Sequence, residues 1–109
     1  MPRASEYREA AGRFRTLRDH YDAQARAWRA PSSSVAIGPV ADRVEEGRGR
    51  LATAATTASE GFATLAVECD RRALVCTAYA TAVRSWQALP IVIRSVTARP
   101  PRPAPWADV

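Results

Sequence analysis

The sequence predicts an all-α fold: an antiparallel helical hairpin of two long helices, expected to complete a four-helix bundle with a partner chain. Three observations predict it. Aromatic residues recur every seven positions near the start, at Tyr7, Phe14, Tyr21 and Trp28. A long Ala-rich stretch of helical period comes after them. Between the two lies Pro31-Ser32-Ser33-Ser34. Proline disfavours helix in the residue before it, and serines favour turns and caps.

The first helix is expected over about 5–30, with Ser5 as its N-cap. Ala10, Leu17 and Gln24 fall between the aromatic residues, which gives an a/d heptad pattern, and Ala11 and Ala25 widen the stripe. Arg8, Arg15, Arg18, Asp19, Asp22, Arg26 and Arg29 form the opposite face. Large rings on one helix suit small residues on its neighbour, and the second segment supplies many alanines.

The turn is expected over 31–38 and the second helix over about 39–88. Pro39 suits the first helical position, where its missing N–H is no loss. The seven-residue row Val44, Leu51, Ala58, Leu65 gives way to Phe62, Cys69, Cys76, Val83, which reads as a four-residue stutter. Gly47, Gly49 and Gly61 each weaken the helix by about 1 kcal/mol relative to Ala, so a bend near Gly47 to Gly49 is one expectation. The second helix is much longer than the first. Its excess needs cover from a second chain or from a fold-back near Pro90. Beyond the hairpin (residues 1–90), Ile91-Val92-Ile93 reads as a short strand or an apolar clip. The Pro/Arg-rich tail of 91–109, with Pro100, Pro101, Pro103, Pro105 and Trp106, reads as extended and polyproline-like, either disordered or docked in a groove.

Composition bounds the function. The chain has 109 residues, 47% hydrophobic and 25% charged, which is the size of one domain. Much of the apolar share is Ala, which favours helix but buries little area, so a lone hairpin has a thin core. All 16 basic residues are Arg, as expected of a GC-rich genome such as an actinobacterium's. The net charge is +5 and the pI about 10.2. That charge permits contact with nucleic acid or anionic lipid. Acids and bases alternate, however, as in Asp42-Arg43 and Asp70-Arg71-Arg72, and no like-charged stripe forms. Nucleic acid is therefore the less favoured partner.

No residue pattern points to catalysis, and the chain is not expected to be an enzyme. His20 is the only histidine, and no phosphate-binding loop, nucleophile elbow or metal-ligand spacing occurs. No metal or cofactor is expected. Cys69 and Cys76 lie seven residues apart on one helix, about 10 Å at 1.5 Å per residue. A disulfide needs its Cα atoms within about 7 Å, so the two are expected to be small buried apolar residues. No apolar run reaches the length of a membrane span, and residues 1–18 lack the apolar core of a cleavable signal. Cytoplasmic residence, or export without such a signal, is expected.

A chain of about this length, with two helices joined by a short turn and Trp28 at that turn, resembles the WXG-type (ESX-like) proteins of type VII secretion. In that family Trp-x-Gly marks the hairpin turn. Trp28-Arg29-Ala30 stands at the matching place, with Ala30 where Gly is expected. The resemblance implies a four-helix homo- or heterodimer, or the helical leader of a larger type VII substrate. The family's Tyr-x-x-x-Asp/Glu export signal has no counterpart, because Tyr7, Tyr21 and Tyr79 are followed four positions on by Ala11, Ala25 and Val83. That implies the role of a partner subunit whose companion carries the signal. The residues expected at the partner interface are Tyr7, Phe14, Leu17, Tyr21, Trp28, Leu51, Phe62, Leu65, Cys69, Cys76, Val83 and Trp86. Trp28 and Trp86 are the strongest, since Trp and Tyr dominate binding hot spots. The competing expectation is an Arg-rich, antitoxin-like regulatory protein that binds nucleic acid.

Overall fold

A computed structural model describes residues 3–30 and 38–109. It is all-α, with helices α1 (Arg3–Arg29), α2 (Pro39–Gln87) and α3 (Ile91–Val96), and no strand among the described residues. α1 and α2 are packed against each other as a helical hairpin. The Pro31–Ser34 turn signal lies outside the described residues. Contacts group the chain into two compact units: Met1–Gly12 with Val67–Val109, and Arg13–Ala66.

The hairpin's inward rows differ from the expected register. On α1 the inward row is Ala4, Tyr7, Ala11, Phe14, Arg18, Tyr21, Ala25 and Trp28, all buried or half-buried and spaced alternately three and four, with Ala10 half-buried beside it. Ala11 and Ala25 are the closed positions, at 0% and 2% exposure, whereas Leu17 is 39% exposed and Gln24 is exposed. The aromatic positions are as read from the sequence. Their partners lie four residues on rather than three, because that side faces the small residues of α2. Ser5 is inside α1, not its N-cap, since the helix already begins at Arg3.

On α2 the inward row is Ala52, Ala55, Ser59, Phe62, Ala66, Cys69, Ala73, Cys76, Ala80 and Val83, again at alternating three and four. It runs without a stutter. Val44, Leu51, Ala58 and Leu65 do not belong to it; they form a second row one position earlier in each heptad. α2 is continuous through Gly47, Gly49 and Gly61. A physical reason lies between the first two glycines. The Arg48 guanidinium donates to the Ala30 carbonyl at 2.9 Å and the Ala27 carbonyl at 3.3 Å, and its Cζ sits 5.7 Å from the Trp28 ring centroid. It thereby caps the C-terminus of α1, where carbonyls lack helical partners and a cation is favoured. The same bonds hold α2 in helix at its weakest stretch. At the start of α2, Gly38 takes φ +79, a left-handed conformation costly for other residues, and its carbonyl accepts from the Asp42 N–H at 3.1 Å. Pro39 then occupies the first helical position, as its fixed φ predicts.

Within the Arg13–Ala66 unit, Phe62 stacks on Phe14 (6.0 Å, 24°) and on Tyr21 (5.6 Å, 18°). Ser59 is 4% exposed and donates its hydroxyl proton to Asp22 Oδ1 at 2.7 Å, so a polar group in the seam is satisfied. Arg29 donates to Thr56 Oγ1 at 2.7 Å. Within the other unit, Arg8 donates to Thr77 Oγ1 at 2.9 Å. Cys76 is buried, Cys69 is half-buried, and both are free thiols.

Pro90 ends the second helix, and the residues after it form neither a strand nor a disordered end. Ile91–Val96 is a short helix with no buried residue. Its N–H at Arg94 donates to the Pro90 carbonyl at 2.8 Å, and the Arg94 guanidinium donates to the Gln87 carbonyl at 3.1 Å, at the end of α2.

The observed register makes a test. Ala11→Leu pushes three carbons into a closed seam and is expected to cost about 1–3 kcal/mol in urea unfolding. Leu17→Ala, on the open flank, is expected to cost below about 1 kcal/mol. The reverse ranking would restore the three-residue register.

Candidate protein-interaction surfaces

Some apolar surface is left open after the two helices have met. The Arg13–Ala66 unit leaves a groove. One part is a shallow cavity of about 250 Å³ lined by His20, Tyr21, Gln24, Trp28, Leu51, Ala54 and Ala55. Another is an open depression lined by Ala58, Gly61, Phe62, Thr64 and Leu65. A Cβ built on Gly61 would meet nothing within 4 Å, so the missing side chain widens this depression. Leu51, Ala58 and Leu65 of the second row of α2 line these two concave patches. Val40, Val44, Leu51 and Leu65 are 63%, 44%, 47% and 45% exposed, and no residue from 39 to 50 is buried. Leu51 and Leu65 flank alanines and a glycine at helical spacing, the profile a second helix can lie against.

In the unit of Met1–Gly12 and Val67–Val109, the same register positions of α2 are Arg72, Tyr79 and Trp86, with Val75 and Ala82 beside them. Here the row is covered by the chain's own tail. Pro100, Pro101 and Pro103 line an open cavity of about 360 Å³ together with Val75, Ala78, Tyr79 and Ala82. Tyr79 is 7% exposed and Ala107 is fully buried. Trp106 packs edge-on against Tyr7, with centroids 5.9 Å apart at 79°. Its ring faces the Arg72 guanidinium at 4.7 Å, and Arg72 also lies 5.8 Å from the Tyr7 ring. Arg3 and Asp108 pair at 4.0 Å. Trp86 is half-buried and donates its indole N–H to the Thr97 carbonyl at 3.0 Å, which places the start of the tail.

Arg72 is held by a local network. Its Nε lies 3.2 Å from Glu68 Oε1, and Arg71 grips both oxygens of the same carboxylate. Hydrogen bonds from Arg71 and then Arg72 pull the Glu68 pKa from 4.5 down to about 2. Hydrogen bonding to Tyr7, then Glu68, raises the Arg72 pKa. The charge that faces Trp106 is thus fixed in place by an acid on the preceding turn.

The sequence-predicted interface residues divide in three. Tyr7, Phe14, Tyr21, Trp28, Phe62, Cys69, Cys76 and Val83 belong to the inward rows and pack within the chain; Cys76 and Val83, both 1% exposed, have no surface left. Leu17, Leu51 and Leu65 stand exposed on the flank. Trp86 is engaged by its own connector. Sequence reasoning missed Arg48, Arg72 and the docked Trp106. The alternating register extends back from Ala52 to Arg48, which is a usable signal. A single Trp closing a proline run is another. Among the described residues no three His, Cys, Asp or Glu gather as metal ligands, and no helix is long and apolar enough to cross a membrane. Comparison with family models, curated proteins and solved structures finds no match to this chain.

The depressed pKa sets a pH window. A carboxylate whose folded pKa lies below its unfolded value stabilises fully above that unfolded value, and the stabilisation is lost as pH falls through the folded pKa. For Glu68 the window runs from 4.5 down to about 2. In a Trp28→Phe, Trp86→Phe background, Trp106 emission is expected to shift toward that of exposed indole across this window. Glu68→Gln is expected to remove that step. An unchanged profile would show that Glu68 does not hold the Arg72–Trp106 contact.

Proposed function

We propose that this chain is a non-enzymatic helical partner protein that pairs with another helical hairpin through the open row of α2. The observation that carries the reading is the exposure of Val40, Val44, Leu51 and Leu65 along one helix face, beside the aromatic groove of Tyr21, Trp28 and Phe62. Monomers seldom leave such aligned aliphatic residues in water without use. A helix laid along this row gains the apolar area that the Ala-rich seam lacks. The resemblance of the hairpin and its Trp28 turn to WXG-type proteins supports an ESX-like role. The companion is then a second small hairpin or the helical leader of a type VII secretion substrate, in a hetero- or homodimer.

Nucleic-acid binding has weaker support. Arg8, Arg18, Arg29, Arg48, Arg50, Arg71, Arg72 and Arg94 are all engaged in contacts within the chain. A phosphate-binding stripe would need a row of arginines directed at solvent.

The test is to purify the tagged chain from its native host with nuclease treatment and identify stoichiometric companions by mass spectrometry. A small helical protein is expected. Leu51→Asp and Leu65→Asp, both at exposed positions, are expected to abolish its recovery while leaving helicity by circular dichroism unchanged. Phe14→Asp is also expected to abolish it, through loss of the Phe62 stack. Full recovery with both leucine variants would remove the open row as the pairing surface. Recovery of nucleic acid alone before nuclease would favour the regulatory reading.

A further inference from the structure

We propose that the groove under the C-terminal tail is a recognition site for that tail in trans, so that two copies of this chain exchange their tails. The occupant is already seated. Trp106 is held by Tyr7 and Arg72, Ala107 is fully buried, and Pro100, Pro101 and Pro103 line an open cavity together with Val75, Ala78, Tyr79 and Ala82. Proline-rich segments dock well on aromatic-lined surfaces because they are already extended and have little entropy to lose. A second copy offers the same segment. The contact is then reciprocal, each tail in the other's groove, as a closed two-fold pair requires.

The connector permits exchange. α3 and Thr97 are tied to the end of α2 by the bonds from Arg94 to Gln87 and from Trp86 to Thr97, and both survive if the tail leaves at Arg99. Thr97, Ala98 and Arg99 are exposed and outside any helix. Redirecting the chain there breaks no helix, and the buried Tyr79 and Ala107 regain their cover when the second copy's tail takes the site. The tethered tail has a high local concentration and competes with an incoming one, so wild type exchanges only at high concentration. This surface is distinct from the open row proposed for pairing.

The experiment uses two full-length variants in a Leu65→Glu background, which disables the open row. Trp106→Ala has an intact groove and a defective tail. Arg72→Glu has an intact tail and a defective groove. By sedimentation velocity each alone is expected at the mass of one chain. Their mixture is expected to give a species of about twice that mass, at equal stoichiometry, because one good tail now meets one vacant groove. A mixture that stays at single-chain mass, with both variants helical, overturns the proposal. If Arg72→Glu does not fold, a synthetic peptide of residues 99–109 replaces it. It is expected to bind the Trp106→Ala chain at least tenfold more tightly than the same peptide with Ala at 106, and equal or absent binding overturns the proposal.

Discussion

The fit of rings to small side chains across the helical seam governs this structure. α1 contributes Tyr7, Phe14, Tyr21 and Trp28 to its inward row; α2 answers mainly with alanines, a serine and two cysteines. Phe62 is the exception on α2, and it fits because it enters between Phe14 and Tyr21 as the middle ring of a stack. Ser59 with Asp22 adds a polar pair that is satisfied at one alignment of the helices and broken by a slide of one turn. The rings supply area, and this pair supplies register.

The fold class is legible in the sequence because its signal is strong: a seven-residue aromatic repeat, an Ala-rich helix and a turn between them. The inward register is not. Leu17 is more hydrophobic than Ala11, so hydrophobicity alone favours the wrong side of α1. The space opposite decides, and an alanine closes the seam where a leucine would not fit. The expected stutter has the same origin, since it merges two parallel rows of α2 into one. Continuity through Gly47 and Gly49 depends on Arg48 reaching the far helix, a contact that local propensity cannot register.

The candidate surfaces are legible in part. Among the residues that spacing selects, Leu51 and Leu65 stand exposed, whereas Cys76 and Val83 are buried. Spacing identifies a stripe but does not say whether it meets the same chain or another. The tail shows this most clearly. Its proline content marks an extended segment, while its docking depends on Trp106, Tyr7 and Arg72 meeting across nearly the whole chain. The arginines, which by count suggest a polyanion ligand, act largely as helix caps, ring partners and salt-bridge donors. Net charge describes solubility and association better than it describes sites.

The Tyr7–Trp106 contact also has a consequence during protein synthesis. At about 5–20 residues per second, Trp106 is added roughly 5–20 s after Tyr7. Late in that interval α1 has left the ribosome and α2 emerges turn by turn, while the segment that will cover Tyr7 and Tyr79 has not been made. The nascent hairpin therefore displays its groove uncovered, at a time when neighbouring ribosomes on the same message carry identical chains at high local concentration. If tails exchange as proposed, whichever tail arrives first, its own or a sister's, takes the site, and the order of translation sets the outcome before equilibrium binding does.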